Sequence, residues 1–157
     1  MRLADALSGV QRVALDSSAL IRFQEEDPQT IGVLRPIFER IDDGRLVACG
    51  SVLLRTETLV YARAQSDMAD PLPIYRERLA RMELSPVTNE VADIAVELRM
   101  DYRLASMDAL HLASAVVGGC DLFLNADADF TFQRAGQRLT CHDGRSIRII
   151  DARDLTR

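Results

Sequence analysis

The chain has 157 residues, 48% of them hydrophobic and 27% charged, with 8 Gly and 5 Pro. This is one domain's length, enough to bury a core without disulfide or metal support, and the composition excludes collagen-like, low-complexity and disordered classes. A net charge of −5, from 24 acids against 19 bases, argues against a basic-tailed nucleic-acid binder but not against nucleic acid as a substrate, because metal ions can supply positive charge locally.

All 19 bases are arginine. Without lysine the chain cannot be a P-loop NTPase, a pyridoxal-phosphate Schiff-base enzyme or a kinase with the usual strand lysine. No apolar run approaches the roughly 18 residues of a membrane span, and Asp5 interrupts a start that lacks the apolar core of a secretory signal. The cysteines, Cys49, Cys120 and Cys141, are odd in number and far apart. They fit a reduced, cytoplasmic setting and argue against structural zinc.

In chain order, Val13-Ala14-Leu15 is a short apolar run that stops at the helix-start residues Asp16-Ser17-Ser18. Glu26-Asp27-Pro28 ends the helix that follows. Ile31, Leu34, Phe38 and Ile41 recur at helical spacing up to Asp43-Gly44, and Leu46-Val47-Ala48-Cys49 reads as a second strand. Ser51 is placed to cap a helix running to about residue 65, and Pro71 to open another after a loop over 66–71. Leu72, Tyr75, Leu79 and Met82 keep helical spacing, then a brief extended piece ends at Pro86. An amphipathic helix starts near Thr88, marked by Val91, Ile94, Ala95, Leu98 and Tyr102. Residues 107–117 are apolar on nearly every side, which predicts a buried helix ended by Gly118-Gly119. Leu122-Phe123-Leu124 is a strand, 127–134 a short helix or turn, and 147–150 a last strand. Short apolar strands alternating with helices predict an α/β fold, with a central parallel sheet of four to five short strands and helices on both faces. In such sheets ligands bind beyond the carboxyl ends of the strands.

Several acids sit where that rule directs attention. Asp16 follows the first strand, where an N-cap is its alternative role. Glu57 has Leu53 and Val60 at minus four and plus three, so it lies on or beside an apolar face; Arg55 or Arg63 is its alternative ion-pair partner. Asp108 falls in the first turn of the buried helix if Ser106 caps it, where the helix dipole favours an anion. Asp127 and Asp129 follow the Leu122 strand; Asp129 is the better cap for a following helix, which leaves Asp127 with less structural reason. Clustered carboxylates repel unless a divalent cation sits among them. All-oxygen ligation suits Mg²⁺ or Mn²⁺, and such a site makes a nucleophile of water and clamps phosphate oxygens. Metal-dependent phosphodiester hydrolysis is the reaction class implied.

The stretches Val13-Ala14-Leu15-Asp16-Ser17-Ser18-Ala19-Leu20, Ser51-Val52-Leu53-Leu54-Arg55-Thr56-Glu57, Leu104-Ala105-Ser106-Met107-Asp108-Ala109-Leu110-His111-Leu112-Ala113-Ser114-Ala115 and Leu122-Phe123-Leu124-Asn125-Ala126-Asp127-Ala128-Asp129-Phe130 resemble the PIN-domain ribonucleases, specifically VapC-like toxins of type II toxin–antitoxin systems. The spacing matches too: 41 residues from Asp16 to Glu57, 51 more to Asp108 and 19 to Asp127. The resemblance implies a single PIN-like domain over 1–157, with its core at about 12–155. It implies catalytic Asp16, Glu57, Asp108 and Asp127. Asp16 and Asp108 are then the principal ligands of Mg²⁺ or Mn²⁺, with Glu57 and Asp127 completing the ring directly or through water. Ser17, Asn125 and Asp129 support, Asn125 standing where many relatives place Thr or Ser. An RNA substrate, a cognate antitoxin and a homodimer are implied as partners, with water attacking phosphorus and a 3′-hydroxyl leaving.

Other readings stay open. A PIN-like binding or regulatory scaffold would use the same carboxylates to hold an ion or cap helices. A phosphoaspartate receiver lacks its lysine, and a phosphatase with a nucleophilic Asp16 would want an acid where Ser18 stands. His111, one turn beyond Asp108, reads as a core or structural histidine. Ile21, Phe23, Leu34 and Phe38 are candidates either for an antitoxin groove or for ordinary core, and Arg22, Arg55 and Arg99 are candidate guides for an RNA backbone.

Overall fold

The computed structural model describes residues 1–64, 70–127 and 137–157. The expected 66–69 part of the loop, most of the expected helix or turn over 127–134, and Asp129 lie outside the described residues.

In chain order the elements are α1 (Leu3–Ala6), β1 (Arg12–Leu15), α2 (Ser17–Gln24), α3 (Ile31–Asp42), β2 (Val47–Ser51), α4 (Leu54–Ala64), α5 (Leu72–Ala80), β3 (Glu83–Ser85), α6 (Asn89–Tyr102), α7 (Ser106–Val117), β4 (Leu122–Asn125), β5 (Gln137–Thr140) and β6 (Ser146–Asp151), then a 3₁₀ turn over Ala152–Asp154. The strands form one sheet of order β3-β2-β1-β4-β6-β5. All neighbours are parallel except β5, which pairs antiparallel with β6.

The α/β class and a parallel sheet of five short strands are as expected; among the described residues the addition is antiparallel β5. Both edge strands are weak in sequence. β3 is three residues long, and only Leu139 of β5 is buried. Their sequences therefore lack the apolar run that marks a strand buried on both faces.

Side-chain alternation sends each central strand to two cores. Val13, Leu15, Leu122, Leu124 and Ile150 pack with α2, α3 and the inner sides of α4 and α5. Ala14, Phe123, Ile147 and Ile149 pack with α6 and α7 on the opposite face. Helix α7 is buried over Ala109 and His111–Val116, as its unbroken apolar composition predicts. The three cysteines are buried free thiols. No helix among the described residues is long and apolar enough to cross a membrane.

Of the Ile21, Phe23, Leu34 and Phe38 set, the core alternative holds for Leu34 and Phe38, while Ile21 and Phe23 are half-buried. Leu34 and Phe38 are fully buried, Phe23 stacks on Phe38 with centroids 3.7 Å apart, and the Arg78 guanidinium lies 5.2 and 5.3 Å from the two ring centres. The cap of α7 is Ala105, with no side-chain cap bond, and Ser106 is the first helical residue. Close packing also fixes Gly50 in β2, because a Cβ there would run into Leu54 Cδ1 at the start of α4.

Candidate active site

The strand order reverses at β1, since β2 and β3 lie on one side and β4 and β6 on the other. The crevice at the carboxyl ends of β1 and β4 is thus the switch point where an α/β sheet binds ligands. Helices α2 and α4 start from the carboxyl ends of β1 and β2, and α7 precedes parallel β4, so three helix N-termini meet this rim. Their dipoles favour anions there.

Asp16 follows β1, and its backbone N–H donates to Leu124 O of β4 at 2.9 Å. Only 6% exposed, it caps α2: Oδ2 accepts from Ser18 N at 3.1 Å and from Ser18 Oγ at 2.5 Å. Burial raises its pKa, opposed by Ser18 and by the charge of His111, while Glu57 adds to the rise. Ser18 Oγ also accepts from Ala126 N at 2.9 Å. One hydroxyl therefore ties Asp16 to the segment that carries Asp127.

Glu57 lies in the first turn of α4 with its side chain 29% exposed. Its partner is His111, not Arg55 or Arg63: Oε2 is 2.7 Å from His111 Nε2. Burial pushes the Glu57 pKa up, but the bond and charge of His111, with the Ser17 hydroxyl, outweigh it and hold the carboxyl below its usual range. His111 is 3% exposed. Burial pulls its pKa down, yet Glu57, Asp16 and Asp108 together raise it. The histidine that reads as core from sequence is indeed buried, but it faces the carboxylates.

Asp108, half-buried in the first turn of α7, is pushed up to about 6, by burial first and then by the charges of Asp16 and Asp127, with partial relief from His111. Asp127 is exposed beyond β4, and Arg153 Nη2 donates to its backbone carbonyl at 3.0 Å. Asn125 is 1% exposed and donates to Ile150 O at 3.4 Å, and its buried Oδ1 has no partner among the described residues. It bonds the β6 backbone rather than a carboxylate.

The chain thus brings Asp16, Glu57, Asp108 and His111 within electrostatic reach of one another, and Asp127 within reach of Asp108. Ser18 was not among the expected supporting residues; a serine two places after a cap reads as a helix start, and its bond to Ala126 spans 108 residues. As a metal site, the donor set fits. Carboxylate oxygens are what Mg²⁺ and Mn²⁺ take, and Asp108, raised by its own neighbours, gains most from a cation among them. A separate set, Glu97 and Asp101 of α6 with His142, brings its ligand atoms within 4.8 Å of one another. There His142 is bonded to both acids, at 2.5 Å from its N–H to Glu97 and 2.8 Å from Nε2 to Asp101, which ties the β5–β6 turn to α6.

Comparison with known proteins adds three findings. The family model described as "PIN domain" matches residues 13–136. A comparison with curated proteins finds no match. Solved structures with similar folds include a toxin–antitoxin complex from Klebsiella pneumoniae, with 16% identity over 76% of this chain and 90% of that one and a TM-score of 0.58. A VapBC2 complex from Rickettsia felis, bound to a DNA fragment from its promoter, gives 13% identity, 74% and 89% coverage, and 0.57. A DNA-bound VapBC from Salmonella typhimurium gives 18% identity, 90% and 98% coverage, and 0.61. At these identities the likeness is one of fold.

Proposed function

The chain belongs to the PIN domain family, and on that premise we propose that it is a Mg²⁺- or Mn²⁺-dependent endoribonuclease, the toxin of a toxin–antitoxin pair. The observation that supports this reading is electrostatic: half-buried Asp108, at the N-terminus of α7, is raised to about 6 by burial and by the charges of Asp16, Asp127 and Glu57. The family supports a nuclease, and the toxin–antitoxin complexes among the structural neighbours support an antitoxin partner.

Asp16 and Asp108 would hold the ion, with Glu57 and Asp127 completing the ring. Bound there, it lowers the pKa of water and neutralises phosphate charge. Ser18 fixes the Asp16 carboxylate and His111 fixes that of Glu57, so two of the four acids are held before substrate arrives. The N-termini of α2, α4 and α7 face the phosphodiester. Water adds to phosphorus as the P–O3′ bond breaks, and the departing oxygen takes a proton to become a 3′-hydroxyl. In this reading the chain works as a homodimer in the cytoplasm, and one PIN-like domain spans it.

The test is cleavage of a mixed fluorogenic RNA with Mg²⁺, with Mn²⁺ and with EDTA, beside Asp108→Asn. Metal-dependent cleavage that the substitution abolishes is expected. Full activity in Asp108→Asn or in EDTA would overturn the assignment. Loss of both cleavage and metal binding in the wild type would favour a non-catalytic scaffold.

A further inference from the structure

A cavity of about 330 Å³ adjoins the carboxylates between α2 and α4, sharing Ser18 and Asp127 with them. Ile21 and Tyr61 give it an aliphatic and an aromatic wall, and Glu25 stands at its rim, where the Tyr61 hydroxyl donates to Glu25 Oε1. Arg22 and Asp27 also line it but neutralise each other at 3.3 Å, and Asp27 is further held by Thr30 N at 3.1 Å and Thr30 Oγ1 at 2.6 Å.

The charge balance disfavours a second phosphate, because among the described residues Arg22 is the one cation lining the cavity, it is already paired with Asp27, and acids outnumber it. What fits is a flat, uncharged group that stacks on one side and offers hydrogen-bond donors to a carboxylate. Among RNA bases, guanine presents N1–H and N2–H₂ side by side, matching both oxygens of a carboxylate. Adenine and cytosine set a ring-nitrogen acceptor beside their amino group, which a carboxylate repels. Uracil sets its single N–H between two carbonyls.

We propose that this cavity holds a guanine base next to the scissile phosphate, read by Glu25, with Tyr61 as the positioning residue that holds the carboxylate. The inference rests on the nuclease reading of the adjoining site, and it makes that site guanine-selective. Single-stranded recognition of this kind, with a base stacked and its Watson–Crick edge read, is how proteins choose RNA sequence.

The test uses the full chain in EDTA and two nucleosides, guanosine and adenosine, which avoids repulsion between a phosphate and the metal-free carboxylates. Backbone amide shifts of Ser18, Glu25 and Tyr61 are followed by NMR. Guanosine should shift them with at least 10-fold tighter affinity than adenosine. Glu25→Gln should weaken guanosine binding roughly 10- to 100-fold; Tyr61→Phe, which keeps the ring, should weaken it less. Equal response to the two nucleosides, no response, or unchanged binding in Glu25→Gln would overturn the proposal. So would a tetra-arginine peptide that shifts these amides when guanosine does not, which would assign the cavity to a protein partner. RNA cleavage by the same protein, returned from EDTA to excess Mg²⁺, separates the two readings. Cleavage without guanosine binding removes this inference alone, whereas guanosine binding without cleavage keeps the pocket and removes the nuclease.

Discussion

Asp108 receives no side-chain hydrogen bond among the described residues, whereas Asp16 has Ser18 and Glu57 has His111. Its folded pKa of about 6 lies above the ordinary 3.8. Between those values the unfolded chain loses a proton that the folded chain keeps, so stability falls as pH rises through that window. Asp108→Asn should therefore stabilise the metal-free protein at pH 8 by about 1–2 kcal/mol, discounted for partial exposure, with no gain near pH 3.5. Thermal unfolding at the two pH values checks this, and Mg²⁺ should raise the melting temperature of the wild type but not of the variant. The Glu57–His111 pair has the opposite logic. The lowered Glu57 contributes above about pH 4.5 and loses its contribution as pH falls; the raised His111 contributes below about pH 6.5 and loses it as pH rises through its folded value. His111→Gln should flatten this maximum in urea unfolding measured from pH 4 to 8; an unchanged profile would show that the pair adds nothing to stability. Asp16, Asp108 and Asp127 were legible in the sequence because they follow apolar strands or open a buried helix, and Glu57 because it lies on or beside an apolar helix face. Their partners were not: Glu57 and His111 are 54 residues apart, and only the sheet topology brings them together.

Most elements are legible from apolar spacing, down to the Thr88 cap of α6, whose hydroxyl accepts from Val91 N at 3.3 Å. Strand β5 is not, because Gln137, Arg138 and Thr140 are exposed and the strand exists through its pairing with β6. Propensity for such an edge is context, not composition. Gly50 shows the converse, a residue whose reason is visible only in the packed structure. Gly50→Ala should cost about 1–3 kcal/mol by forcing Leu54 off its packed position. Leu54→Ala in the same chain should recover part of that cost, so a double-mutant cycle by chemical denaturation should give a coupling energy well away from zero. Additive costs would mean that β2 and α4 adjust independently.

Across the whole molecule, the first and last segments lie together. Leu3 N donates to Thr156 O at 2.7 Å, Thr156 N to Met1 O at 2.9 Å, and the Met1 amino group to Asp154 O at 2.9 Å. The folded backbone is therefore already almost a ring. Joining residue 157 to residue 1 through a short flexible peptide should leave the native geometry intact while restricting the denatured ensemble. By loop-closure entropy a ring of this size gains about 5 kcal/mol at most. Calorimetry of the cyclised and linear chains should show a higher melting temperature for the ring; an equal or lower one would mean that the joint strains the end contacts. The same adjacency makes the molecule a candidate for circular permutation. A chain restarted at the Gly144 turn between β5 and β6, with its old ends fused, would present the same switch-point crevice with its strands made in a different order.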